Sequence, residues 1–448
     1  MSDLAKNHST IAIIGGGASG IFAAIRLLES APIKAGRFRV VLFERDAKIG
    51  RGVAYGTEAT FHLLNVRQNG MSAYPEDTAH FSRWLARHHP TAMANPFQPR
   101  GRYAEYLGSI LSDARRRLPA ERFSIRHVAV ENIRRPIGGK IEVLFSKGES
   151  MACDRVVLAT GHGKPNVPEG IHSIRDHARF HGDPWSAAVE KIWKNERILV
   201  LGSGLTALDF VFTRMRAGQL ASIDLVSRHG LSPLPHSVIA IDRPLAFPFA
   251  DETVRGVVRA LRGECRIAGA EWTDVIDRFR REIPRIWAAW GEGERRRFLR
   301  HARPYWDVHR HRVSPEAYRE WELYRRGGKV RLEAGRISNA ASVADGIEVR
   351  IIDRAGHTQT KVYDRVVNCT GAALDLSLID EKIYPRDPLG LGVPTDSLGR
   401  LLTSSGEPDP AVFLLGPALR SRFWEMTAVP DLRLQAKIAI DALLAGLE

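Results

Sequence analysis

Hydrophobic residues fall along this chain in two patterns. Short unbroken apolar runs occur at Thr10–Ile14, at Phe38–Phe43, after Asp154 up to Gly161, and at Arg197–Leu201. Runs of this length without polar alternation predict strands covered on both faces, as in a parallel sheet with helices above and below. Between them lie stretches with helical spacing, Ile21–Leu28 and Leu208–Met215. From Gly50 to about Leu111 the pattern breaks into a segment rich in His, Asn and Pro, with one helical piece at His80–Arg87. Short strands and turns are expected over 121–149, including Phe123–Val130 and Lys140–Phe145.

The turn chemistry between these elements is specific. The first strand runs into Gly15-Gly-Gly-Ala-Ser-Gly20, then a helix, then a strand that ends on Glu44. Strand, glycine turn, helix, strand and acid form the order that a dinucleotide-binding unit requires. The glycines allow a tight turn and close backbone approach to a diphosphate at the helix N-terminus, and the acid accepts from ribose hydroxyls. A second unit repeats the order at Arg197–Leu201, Gly202-Ser-Gly-Leu-Thr-Ala207 and Ser222–Val226. There the acid is replaced by Ser227-Arg228. An arginine in this place accommodates a 2′-phosphate, which favours NADPH, with NADH left possible; the alternative is that Arg228 faces solvent.

Residues 251–330 read as helical and hold five of the nine tryptophans, Trp272, Trp287, Trp290, Trp306 and Trp321. Strands return at Val330–Leu332, Ile347–Ile352, Arg365–Cys369 and Ala411–Leu415, before a closing helix after Pro430. The expected fold is α/β, with two Rossmann-like dinucleotide-binding domains, the second inserted in the first, and a helical Trp/Arg-rich subdomain. Residues 1–195 and 365–448 are expected to form an FAD-binding domain. Residues 196–364 are expected to form an NAD(P)H-binding domain with a helical insertion at about 232–330.

Composition narrows the classes. The chain has 448 residues and a formal charge of +14, carried by 53 Arg and 12 Lys. No apolar run approaches the ~18–20 residues that span a bilayer, and no signal pattern precedes Ile11. Cys153, Cys265 and Cys369 are isolated in sequence, which points to a reducing compartment. A cytoplasmic, soluble protein is expected. The basicity raises nucleic acid as a partner, but the arginines are spread over every segment and no RNA-binding module is legible, which disfavours it. No metal-ligand spacing is present around His88-His89 or His309/His311.

Two different dinucleotide units imply FAD in the first and NAD(P)H in the second, so that a hydride passes to the flavin. The paired cysteines that would carry electrons onward in a disulfide reductase are missing. The remaining outlets are dioxygen with a small-molecule substrate, through a flavin–oxygen adduct, or direct reduction of an organic acceptor; a basic RNA-binding flavoprotein is a third reading. The oligomeric state is not legible.

Further marks are Gly52-Val-Ala-Tyr-Gly56, His62-Leu-Leu-Asn-Val66 with Met71-Ser72, Phe81 to Leu85, and Pro99-Arg100 with Tyr103. Others are Gly202 to Asp209, Trp306-Asp-Val-His-Arg-His-Arg312, and Leu415-Gly-Pro417 leading to Trp424-Glu425. On these the chain resembles the bacterial FAD/NAD(P)-binding oxidoreductases that include FAD-dependent urate hydroxylase and flavin-dependent amino-acid N-hydroxylating enzymes. The resemblance implies an NAD(P)H-dependent FAD monooxygenase acting on a small polar or anionic, nitrogen-containing substrate, a urate-like heterocycle or an amino acid.

The expected cofactor set is Gly15, Gly17, Ala18, Ser19, Gly20, Glu44, Arg100, Thr160, Gly161, Gly202, Gly204, Leu205, Thr206, Arg228, Gly371, Gly416 and Val429. The helix N-terminus near Pro430 is suited to stabilise negative charge on a reduced flavin. Asn65, Arg310 and Arg312 are the candidate catalytic residues. For Asn65, Arg100 and Tyr103, a loop-stitching role stands level with a cofactor role. For Arg310-His311-Arg312 the alternative is a charge network inside the helical block, and His236 is as readily a structural loop residue as a neighbour of the nicotinamide.

Overall fold

The computed structural model describes residues 9–447 apart from 137–138, 187–188, 190–192, 194, 219–221, 238–252 and 268–270. The chain forms two compact units, the first from residues 1–60, 66–162 and 374–448, the second from 61–65 and 163–373.

In the first unit, six strands lie in the order β17-β18-β7-β1-β2-β3. They are β1 (Ser9–Ile14), β2 (Phe38–Phe43), β3 (Phe123–Arg126), β7 (Arg155–Leu158), β17 (Arg400–Leu402) and β18 (Pro408–Leu414). All neighbours are parallel except β17 with β18. The unbroken apolar runs follow from this placement: Ile11, Ala12 and Ile13 of β1 and Val156 and Val157 of β7 are fully buried. Each buried Ile or Val side chain among these stabilises the fold by ~1.5–3 kcal/mol. A smaller antiparallel sheet, β4 (Val130–Arg134), β5 (Ile141–Phe145) and β6 (Glu149–Cys153), packs Ile141, Val143 and Phe145 into the same core.

The 50–111 segment is more regular than its sequence suggests. Beside the expected helix at His80–His88, a 17-residue helix spans Arg100–Arg116. It buries Tyr103, Ala104, Tyr106, Leu107, Ile110, Leu111 and Ala114 on one face. That spacing is helical, but Gly101, Gly108 and a row of charges interrupt it and lower its contrast.

In the second unit, seven strands lie in the order β14-β13-β12-β11-β10-β15-β9. They are β9 (Phe180–His181), β10 (Arg197–Leu201), β11 (Ser222–Ser227), β12 (Val330–Val343), β13 (Gly346–Asp353), β14 (Thr358–Tyr363) and β15 (Arg365–Asn368). The centre is parallel, while β12, β13 and β14 form an antiparallel flank. The short strands β8 (His162–Pro165) and β16 (Ala372–Leu374) carry the chain between units.

These pairings move the boundaries read from sequence. The segment 163–195 and strand β15, expected with the first domain, pack in the second. The reason is β15, which pairs with β10 through Leu199↔Val366 and with β9 through Val366↔Phe180. Asn65 also changes place, because residues 61–65 belong to the second unit. Between Val254 and Arg326 the described residues form six α-helices, two of them capped by the Thr253 and Ser314 hydroxyls. Part of the range expected for the helical insertion, 238–252 and 268–270, lies outside the described residues.

Candidate cofactor and substrate sites

The first glycine turn is built by crowding. Gly15 has φ +104°, and a β-carbon there would lie 2.3 Å from the Ala159 carbonyl oxygen; one on Gly20 would lie 1.8 Å from the Gly15 carbonyl oxygen. No other residue fits either place. Gly17 precedes the helix Ala18–Glu29, whose N-terminus has no side-chain cap, so its first amide N–H groups remain for an anion. Glu44 closes the turn from the side: its Oε2 accepts the Gly16 N–H at 2.7 Å and its Oε1 accepts the Asp46 N–H at 3.0 Å. Each carboxylate oxygen keeps a lone pair, which is what a ribose hydroxyl needs.

The other cofactor residues expected between Arg100 and Gly161, together with Gly416 and Val429, belong to the same unit. The Gly50 N–H donates to the Gly16 carbonyl at 2.8 Å, and a β-carbon on Gly52 would be 3.6 Å from Gly17 Cα. The Thr160 hydroxyl donates to the Asp375 carbonyl at 3.2 Å, and Gly161 follows with φ +70°. Gly416 lies against Ser19, whose Oγ would be 3.2 Å from a β-carbon there. Arg100 opens its helix, and Val429 opens the closing helix Val429–Ala445. Tyr55 meets Tyr103 edge-on at 4.8 Å between ring centroids. Burial pushes the Tyr55 phenol up to about 12, with Arg100 pulling it partly back.

The second turn repeats the first. Gly202 has φ +97°, and a β-carbon there would lie 2.5 Å from the Cys369 carbonyl oxygen. Gly204 precedes the helix Leu205–Arg216, again with no side-chain cap. The Ser203 hydroxyl donates to Ser227 Oγ at 2.8 Å, tying the turn to the end of β11. Arg228 follows and is exposed, and Gly371 has φ +100° just after β15.

The candidate catalytic residues are placed differently. The Asn65 carbonyl faces His236 Nε2 at 2.9 Å, so that histidine pins the segment 61–65. The same segment is held by His62, whose Nε2 lies 3.1 Å from the Asp209 carbonyl and 2.9 Å from Thr213 Oγ1. Arg310 and Arg312 are both buried within the helical block. Arg312 pairs with Asp277 and lies over the Trp272 ring at 5.8 Å, which matches the charge-network alternative. Burial lowers its guanidinium against the pull of Asp277.

Other features are not legible in the sequence. Trp424 has φ +59° and ψ −55°, and the Glu425 N–H donates to the Phe423 carbonyl at 2.6 Å. This is a three-residue turn in a strained conformation, costing on the order of 1–3 kcal/mol. Arg420 stacks on its indole at 4.3 Å. In the second unit, Trp193 is flanked by Arg214 at 4.4 Å, Arg365 at 4.7 Å and the stacked ring of His181 at 4.9 Å. Arg365 is held by Glu196 through two hydrogen bonds. Cys153, Cys265 and Cys369 are all free thiols.

Comparison with known proteins bears on this arrangement. Residues 12–163 match the FAD-NAD(P)-binding family model, and residues 89–241 match that of L-lysine 6-monooxygenase/L-ornithine 5-monooxygenase. The resemblance read from the sequence holds. The monooxygenase PC-14 of Penicillium crustosum is 25% identical over 294 residues, which are 58% of this chain and 47% of that protein. The chain thus spans about half the length of the curated relatives it matches. Ornithine hydroxylase (PvdA) from Pseudomonas aeruginosa superposes with a TM-score of 0.67 at 18% identity, covering 98% of this chain and 100% of that one. An ornithine N-hydroxylase from Kutzneria sp. 744 gives 0.66 at 16%, covering 98% and 99%. The fold is the FAD/NAD(P)-binding Rossmann type of these flavoproteins.

Proposed function

We propose that the chain is an NADPH-dependent FAD monooxygenase that hydroxylates a nitrogen of a small, amino-acid-like polar substrate. The observation that carries this reading is the pair of uncapped glycine turns, each crowded until only glycine fits, in a chain whose segments match FAD-NAD(P)-binding and lysine/ornithine monooxygenase families. The isolated thiols leave no dithiol outlet for electrons. That favours oxygen chemistry over disulfide reduction, although thioredoxin reductases share the fold at TM-scores near 0.55.

The crowded, uncapped first turn suits a dinucleotide, which we read as FAD. Gly15, Gly17, Ala18, Ser19 and Gly20 form the cradle for a diphosphate, and Glu44 would accept from a ribose hydroxyl. Arg100, Thr160, Gly161, Gly416 and Val429 would line the rest of the dinucleotide. In the second unit Gly202, Gly204, Leu205, Thr206 and Gly371 would hold the nicotinamide cofactor, with the exposed Arg228 as a fork for its 2′-phosphate. Bound FAD supplies the passage of electrons from the nicotinamide to dioxygen. The protein's part is to fix the two dinucleotides by backbone amides and to hold the Glu44 side chain toward a ribose. Among the described residues no group of His, Cys, Asp and Glu could hold a metal ion, and no helix is long and apolar enough to cross a membrane. We place the protein in the cytoplasm, where its thiols stay reduced.

The test is direct. Purified protein should be yellow and should oxidise NADPH faster with one of ornithine, lysine, a short diamine or urate, yielding a hydroxylated product. Colourless protein that fails to retain added FAD would sink the reading.

A further inference from the structure

Two arginines of the second unit reach the same edge of its sheet from different elements. Arg228 follows β11, where Ser227 pairs with Ala334 of β12. On the other side of β12, Gly335 pairs with Asp353 at the end of β13, so Arg354 continues that register level with Ala334. One strand thus separates the two positions, and strand spacing puts their backbones on the order of 10 Å apart. Gly230, with φ +62°, brings the chain after Arg228 onto β12: a β-carbon there would lie 3.0 Å from Ala334 Cβ. His229 registers both charges, since its imidazole is lowered by burial, then by Arg228 and by Arg354.

Neither arginine is spent on the fold. Both are exposed, and among the described residues neither side chain forms an ion pair or a hydrogen bond. Other exposed arginines of this chain do pair, as Arg216 does with Glu320 and Arg296 with Glu292. The carboxylate next to Arg354 is Asp353, and the hairpin turn uses it. Its Oδ1 accepts the Ala355 N–H at 2.8 Å and the His357 N–H at 2.9 Å, and its Oδ2 lies 3.1 Å from His357 Nδ1. The turn that carries Arg354 is therefore fixed, while its guanidinium keeps every donor. Two unpaired guanidinium forks at one sheet edge suit a dianion with several acceptor oxygens. The end of the second strand of a dinucleotide-binding unit is also where the adenosine ribose lies.

Resting on the assignment of the second turn to NADPH, we infer that Arg354, from the hairpin turn between β13 and β14, is a second fork for the 2′-phosphate and closes on it opposite Arg228. Selection of NADPH then draws charge from two separate elements. NADH carries a hydroxyl in that place and gains from neither arginine.

Binding of NADP+ and of NAD+ to the full-length flavoprotein is measured in parallel by calorimetry, at about 0.15 M salt. Arg354→Gln should raise the Kd for NADP+ about tenfold, the loss of one charge-assisted contact, and leave that for NAD+ within about twofold. The double variant, Arg228→Gln with Arg354→Gln, should bind NADP+ no tighter than NAD+. Arg350→Gln removes the same charge from β13 about 13 Å back along the strand, beyond a screening length of about 8 Å, and should change neither Kd by more than about twofold. An unchanged Kd for NADP+ in Arg354→Gln, beside a raised one in Arg228→Gln, overturns the inference and leaves the reading of Arg228 intact. Equal rises for NADP+ and NAD+ also overturn it, as does a rise in Arg350→Gln as large as in Arg354→Gln, since these belong to the fold or to the general surface field. Wild-type protein that binds NADP+ no tighter than NAD+ overturns the underlying reading together with the inference.

Discussion

Glu44 and Gly16 are joined across the first turn by a 2.7 Å hydrogen bond from the backbone N–H to Oε2. The acid that follows β2 therefore shapes the turn, in addition to the ribose contact proposed for it. The two roles separate by substitution. Glu44→Gln keeps an acceptor for the Gly16 N–H but loses the charge, and should weaken FAD binding about tenfold with little change in apo stability. Glu44→Ala removes both, and should lower the apo Tm in addition. Flavin titration together with thermal unfolding checks each.

The two glycine turns belong to different units, so they fail separately. Gly202→Ala places a β-carbon 2.5 Å from the Cys369 carbonyl in a residue with φ +97°. The protein should stay yellow and lose NADPH oxidation by at least ~100-fold, with destabilisation of at least about 2 kcal/mol. Loss of bound flavin in this variant, measured by its visible absorbance, would contradict the assignment of the second turn to the nicotinamide cofactor.

Arg228 is the proposed determinant of the choice of nicotinamide. It is exposed after β11 with Ser227 tied back to Ser203. Arg228→Gln should raise the KM for NADPH by about 10–100-fold, the range of a charge-assisted contact. The KM for NADH should be unchanged. Equal effects on both cofactors would return Arg228 to a solvent-facing role.

Much of this was legible in the chain. Ile11 to Ile13 are apolar without a break because β1 lies between β2 and β7, and the two glycine runs could be placed because strand and helix flank each one. The helix Arg100–Arg116 was not seen, since glycines dilute its apolar face. The transfer of residues 61–65 to the second unit depends on His62 and His236 bonding to residues about 150 to 170 positions away, which no local pattern encodes. The pairing of Arg312 was hidden for a related reason: its partner Asp277 lies 35 positions earlier, in the helix Trp272–Phe279.

That ion pair is asymmetric. The Arg312 side chain is 3% exposed and that of Asp277 55%. Removing Asp277 leaves a buried guanidinium without its counter-ion, whereas removing Arg312 leaves a carboxylate that water can reach. Asp277→Ala should cost about 2 kcal/mol, and Arg312→Met, which refills the space, under about 1 kcal/mol. Chemical denaturation of the two variants checks the order.

His181 gives a signature in pH. Burial, then the nearby Arg365 and Arg214, hold its imidazole down from 6.5 to about 4. The folded protein therefore keeps it neutral where the unfolded chain protonates it. Its contribution to stability is complete above pH 6.5 and is lost as pH falls toward about 4. The Tm difference between wild type and His181→Asn should narrow on going from pH 7 to about pH 4; a constant difference would contradict the shift.

The central claim is most directly tested by stoichiometry. With the best nitrogen substrate in air, NADPH consumed, oxygen consumed and hydroxylated product formed are measured in one reaction. The account predicts the three in equal amounts, with little peroxide. NADPH oxidation that proceeds without oxygen uptake, or that yields peroxide alone with every substrate of the panel, would contradict it.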